Sequence, residues 1–137
     1  MHMTAHSELS VPIRNEADIV AARQQGREMA SVLRYSSSEL TLIATAISEV
    51  ARNILSYAGR GEIRLQLVDQ GYRRGISVVA DDHGPGIADL AQAMQDGYST
   101  SGSLGLGLPG SKRLMDEFHI TSEVGRGTTV SMTKWER

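Results

Sequence analysis

The sequence predicts a two-layer α+β domain, an α/β sandwich in which helices cover one face of a mixed, mainly antiparallel sheet. Three observations carry this reading. Strand-like alternation and helical periodicity interleave along the chain. Two turn signals, "QGYRRG" at 70–75 and "GRG" at 125–127, join consecutive strands as hairpins. A length of 137 residues fits one domain around a single core.

Residues 1–7 read as a tail, which an expression tag could have left, and the domain proper as 8–137. "ELSVPIR" (8–14) alternates as a strand, and Pro12, with no N–H for a ladder, puts it at an edge. Asn15 then offers a helix cap with Asp18 at N3, and the helix has a mixed face of Ile19, Val20, Ala22, Arg23, Met29, Ala30 and Leu33. "YSSSEL" breaks it and begins a second helix, from about Ser38 to Tyr57, stopped by Gly59. "EIRLQLVD" (62–69) alternates as a strand, whereas "ISVVADD" (76–82) is more continuously apolar and predicts a central one. "IADLAQAMQ" (87–95) has the pattern of a short amphipathic helix, and residues 96–107 have no periodicity. "LPGSKRLMDEF" (108–118) predicts a helix with Pro109 in its first turn. "HITSEV" and "TTVSMTKW" then close the sheet as a hairpin.

Composition excludes several classes. A net charge of −2, with no basic stripe interleaved with aromatics, gives no pull toward nucleic acid or anionic membranes. No apolar run approaches the roughly 18 residues of a membrane span, so a cytoplasmic protein without a membrane role is expected. There is no cysteine, hence no thiol chemistry. The four histidines, at 2, 6, 83 and 119, lack ligand spacing.

Four local patterns remain. On the second helix Thr45, Glu49 and Asn53 recur every fourth residue, a polar stripe on an otherwise apolar rod that needs a partner if buried. "DDHGPGI" (81–87) puts Asp82, Gly84 and Gly86 at the end of the central strand. A strand-terminal carboxylate suits a purine amino group or a hydroxyl, although the same string also makes a plain Asp-Gly turn. "STSGSLGLGLPG" (99–110) presents Gly102, Gly105 and Gly107 ahead of a helix start, which suits a phosphate loop and equally a surface loop. It has neither the Lys-Ser/Thr of a P-loop nor a Rossmann context. "GRGTTV" (125–130) reads as a hairpin turn whose hydroxyls, Thr128 and Thr129, can also reach a base-side water network.

In this order the four patterns resemble the nucleotide-binding fold shared by gyrase, Hsp90, histidine kinases and MutL, the GHKL or Bergerat fold. The resemblance implies ATP as ligand. By match, Asn53 is the Mg²⁺ ligand through the ATP phosphates, and Asp82, with Gly84, Gly86 and Ile87 beside it, contacts the adenine amino group. Gly102, Leu104, Gly105, Leu106 and Gly107 would form a lid over the phosphates, and Thr129 is a base-side contact. One neutral Asn with phosphate oxygens is sufficient for Mg²⁺.

From about Val20 to Trp135 the strings "LTLIATAISEVARNILSYAGRGEI", "DGYSTSGSLGLGLPGSKRLMDEF" and "GTTVSMTKW" are similar to the stressosome switch-kinase branch of this family. His83, Asp81 beside Asp82, and a longer N-terminal dozen depart from its pattern. The resemblance implies transfer of the ATP γ-phosphoryl to Ser or Thr of a STAS-domain antagonist that holds the kinase in a stressosome scaffold. The released kinase would then activate a metal-dependent protein phosphatase. Alternatives of the same fold are an anti-sigma-factor serine kinase and a non-catalytic ATP-binding regulator. A carboxylate one turn from the metal-holding Asn can orient the acceptor hydroxyl, which makes Glu49 the candidate base. A pairing with Arg52 or Arg113 is its structural alternative. Lys112 and Arg113 either face the phosphates or form a solvated helix face.

Overall fold

The elements run β1 (Thr4–Ala5), β2 (Leu9–Ile13), α1 (Glu16–Ala30), α2 (Ser37–Tyr57), β3 (Gly61–Gln70), β4 (Arg73–Asp82), α3 (Gly107–Leu114), β5 (Glu117–Glu123) and β6 (Gly127–Trp135). They come from a computed structural model, which describes residues 4–5, 8–88, 94 and 107–137. The sheet order is β1-β3-β4-β6-β5, with β2 also on β3, and every described pairing is antiparallel. The chain is therefore the expected α+β sandwich, with β4 central and the Pro12 strand at the edge. Thr4 and Ala5, inside the segment read as a tail, pair with Asp69 and Val68.

Parity along the strands assigns the layers. In β4, Ile76, Val78, Ala80 and Asp82 are buried, while Ser77, Val79 and Asp81 are only partly covered. The even-numbered side faces α1 and α2, which pack on each other and on β3 and β4. Ile47 and Ile54 of α2, Ile63 and Leu65 of β3, and Ile76 and Val78 of β4 fill the space between layers. Each such side chain contributes about 1.5–3 kcal/mol on burial.

The helix boundaries follow local chemistry. Asn15 accepts a hydrogen bond from the Asp18 N–H, as the cap reading requires. Of the mixed face expected on α1, Ile19, Ala22 and Ala30 are buried and Val20 and Arg23 exposed, and Gly26 is buried with the former. A Cβ at Gly26 would overlap Ile47, so the missing side chain lets α1 and α2 approach closely. For α2, Ser36 and Glu39 form a reciprocal capping box, which starts the helix at Ser37. Gly59, at φ 82°, ends it.

The third helix stops at Leu114, not at 118 as the sequence pattern suggested. There the Lys134 ammonium donates to the Leu114 carbonyl at 3.0 Å, and the Asp116 N–H already bonds Thr133 O. Pairing with β6 therefore captures Glu117 and Phe118 as strand residues. The helix expected over 87–95 lies outside the described residues, apart from Ile87, Ala88 and Met94.

Candidate active site

α2 carries the polar stripe into the protein. Thr45 is satisfied by its own helix, donating to Thr41 O at 2.9 Å. Glu49 is 7% exposed and holds two partners. Arg52 donates to its Oε1 at 3.1 Å, and the Gly107 N–H donates to its Oε2 at 2.9 Å. Gly107 is the first residue of α3 and has φ 69°, so the carboxylate sits against a helix N-terminus, where negative charge is favoured. Of the two cations foreseen as structural partners, Arg52 is the one bonded to it. Asn53, one turn on, is partly buried, and its side chain makes no hydrogen bond among the described residues.

β4 delivers Asp82 to the same layer. It is 4% exposed, and its Oδ1 accepts the N–H of Gly84 at 2.9 Å and that of Thr128 at 3.2 Å. No hydrogen bond reaches Oδ2 among the described residues. The carboxylate is thus aimed by two backbone donors with one oxygen left to accept. Gly84 and Gly86 turn the chain after it, but protein, and not a ligand, accounts for their missing side chains. A Cβ on Gly84 would overlap Ala58 at the end of α2, and one on Gly86, at φ 81°, would overlap the Glu123 carbonyl.

The turn is fastened to the closing hairpin. Gly125 N–H donates to Pro85 O at 2.8 Å, and the buried Ile87 donates its N–H to Ser122 Oγ at 2.7 Å. Ser122 Oγ also lies 2.8 Å from Thr128 Oγ1. Ser122 and Thr128 are paired neighbours on β5 and β6. Thr128 carries the parity of Val130 and Met132, hence that of the helical layer.

Thr129 does not join this group. It pairs with Asp81 in the β4–β6 register, and its hydroxyl donates to Asp81 Oδ1 at 2.7 Å on the far face. Arg64 approaches the other Asp81 oxygen at 3.6 Å. A cleft of about 540 Å³ at this end of the sheet is lined from both faces, by Asp82 and Ser122 as well as by Asp81, Thr121 and Thr129. By strand alternation Thr128 shares the face of Asp82, whereas Thr129 lies on the opposite one. The sequence reading also missed Ser122, although its parity with Ile120 signals it.

Gly102, Leu104, Gly105 and Leu106 lie outside the described residues. Lys112 and Arg113 are exposed in the last turn of α3. Among the described residues no group of three His, Asp or Glu side chains is arranged to hold a metal. No described helix is long and apolar enough to cross a membrane.

Known proteins match along nearly the whole length. A family model described as a histidine kinase-like ATPase domain matches residues 12–134. The serine/threonine-protein kinase RsbT of Bacillus subtilis is 51% identical over 127 residues, covering 93% of this chain and 96% of the relative. An anti-sigma F factor of Thermoanaerobacter sp. is 32% identical, covering 83% of this chain and 82% of the relative. Among solved structures, one of the RsbU and RsbW domains of a Mycobacterium tuberculosis protein superposes with TM-score 0.63 at 20% identity. It covers 96% of this chain and 34% of that one, and supports the fold alone.

Proposed function

The chain belongs to the histidine kinase-like ATPase domain family, and on that premise we propose that it is the ATP-dependent switch kinase of a partner-switching module. Its activity is that of a protein serine/threonine kinase, in keeping with its identity to the Bacillus subtilis kinase. The finer reading is that it phosphorylates a STAS-domain antagonist within a stressosome scaffold. On release it would activate a metal-dependent phosphatase, all in the cytoplasm.

The observation that carries the nucleotide reading is Asp82, a buried carboxylate held by two backbone N–H groups with one oxygen left to accept. That oxygen suits the exocyclic amino group of adenine, and Thr128 and Ser122 stand beside it. Asn53 fits the metal role, being partly buried and without a described partner. With no group of three His, Asp or Glu side chains set to hold a metal among the described residues, Mg²⁺ would be held by the Asn53 carboxamide oxygen and the nucleotide's phosphates. Bound there, the ion would neutralise phosphate charge.

Glu49 is the base in this reading. A carboxylate has about four acceptor positions, and Arg52 and Gly107 use two, so a proton can still be taken. The acceptor Ser or Thr oxygen forms its bond to the γ-phosphorus as the bond to the β–γ bridging oxygen breaks. The hydroxyl proton passes to Glu49, and ADP leaves with the bridging oxygen. Gly107, whose N–H now rests on Glu49, is the described end of the proposed phosphate lid.

Incubation with Mg·[γ-³²P]ATP and a recombinant STAS-domain protein tests the proposal, with label expected on a Ser or Thr of the STAS protein. Normal ATP binding without transfer to any STAS protein would favour the passive regulator. The similarity to anti-sigma F factors keeps a sigma-factor partner as the second reading, which co-purification with sigma factors would reveal.

A further inference from the structure

We propose that Arg52 is a positioning residue for Glu49, setting the orientation of the carboxylate that receives the acceptor proton. The inference rests on the reading of Glu49 as the base.

The geometry separates the two oxygens of Glu49. Oε1 is taken by Arg52, from the next turn of the same helix, and Oε2 by the Gly107 N–H, from the start of α3. Two donors from different elements define the plane of a carboxylate where one would let it swing. The Glu49 side chain is 8% exposed and that of Arg52 is 34% exposed. A buried carboxylate is costly without a counter-charge, and among the described residues Arg52 is the cation within ion-pair distance. Arg52 makes no other described hydrogen bond or ion pair.

Arg52 offsets part of the cost of burying the Glu49 charge, and beyond that it supplies direction.

The test is a double-mutant cycle on the intact chain, with recombinant STAS-domain protein and Mg·ATP as substrates. Arg52→Gln should lower kcat by roughly tenfold and leave KM for ATP within about twofold, measured at a temperature where circular dichroism shows the variant folded. Arg52→Lys, which restores the charge without the planar fork, should recover about a third of the rate or more. In a Glu49→Gln background, Arg52→Gln should have no further effect, because the group it positions is no longer a base. Wild-type kcat for Arg52→Gln overturns the proposal. So do multiplicative losses in the cycle, which would make Arg52 act on the phosphates by itself. Glu49→Gln transferring at the wild-type rate removes the base, and with it any residue that positions one. That result differs from failure at Arg52 alone, where Glu49→Gln is slow and Arg52→Gln is not.

Discussion

The Thr128 N–H lies 3.2 Å from Oδ1 of Asp82, so the carboxylate ending the central strand is aimed by the strand beside it. Gly84 holds the same oxygen from the following turn. Asp82→Asn keeps an oxygen for these two donors, but must then present its NH₂ where the ligand's amino group donates. Nucleotide affinity should fall by more than about tenfold with little change in fold. Calorimetry with ADP measures this, and unchanged affinity would remove the adenine assignment.

Strand parity separates the two adjacent threonines. Thr128→Val removes the hydroxyl bonded to Ser122 on the Asp82 face and should weaken ADP binding by roughly fivefold. Thr129→Val removes only the hydroxyl facing Asp81 and should leave affinity unchanged. The same calorimetric titration, run on both variants, distinguishes them. Equal effects would mean that the register does not decide which threonine reads the ligand.

Gly127 has φ 126°, and a Cβ there would overlap the Asp82 carbonyl. Gly127→Ala should destabilise the fold by about 2 kcal/mol or more, since both the backbone and the close approach resist it. Urea unfolding followed by circular dichroism reads the loss. A midpoint equal to wild type would show that the β4–β6 contact yields easily.

Glu136 links the α1–α2 connection to β4. The Arg34 N–H, followed by the Arg74 guanidinium, holds its carboxyl below the ordinary carboxylate range. A depressed folded pKa stabilises the fold above the unfolded value, and that stabilisation is lost as pH falls through the folded value. Glu136→Gln should therefore lower the urea midpoint at pH 7, and the gap from wild type should narrow as pH falls below the ordinary carboxylate range. A gap independent of pH would assign Glu136 a packing role.

Glu49 and Asn53 should fail differently. Glu49→Gln retains shape and hydrogen bonding but loses basicity. Nucleotide affinity should stay within a few-fold, and transfer to a STAS-domain Ser or Thr should fall by on the order of 10²-fold. Asn53→Asp puts a charge among the phosphates and should impair both Mg²⁺-dependent binding and transfer. Paired binding and single-turnover measurements separate the two patterns.

What the sequence made legible was mostly local. The Asn15 cap with Asp18 at N3, the stop at Gly59 and the burial of Glu49 within an apolar helix each depend on neighbours a few residues away. The central place of β4 followed from its apolar run. What escaped depends on partners distant in sequence. The end of α3 is set by Lys134 and Thr133, about twenty residues downstream. Gly26 is buried because Ile47 comes against it. That Thr128, and not Thr129, shares the Asp82 face was readable from the parity of Val130 and Met132 alone. That step required treating "GTTV" as a strand with two faces, where the motif reading took it as a string.

β6 is made after the other described elements, and that order matters. By the time Glu123 has been added, the growing polypeptide already contains Glu49, Asn53 and Asp82. Yet Asp82 lacks the Thr128 donor, and β4 lacks one of its two neighbours, until residues 127–135 emerge from the ribosome. Because β4 gains its second flank only through this distant pairing, closing the sheet and orienting the Asp82 carboxylate are one event. On the proposed reading, a chain made only as far as Glu123 holds Glu49 and Asn53 but has no Thr128 N–H to aim Asp82 at a nucleotide.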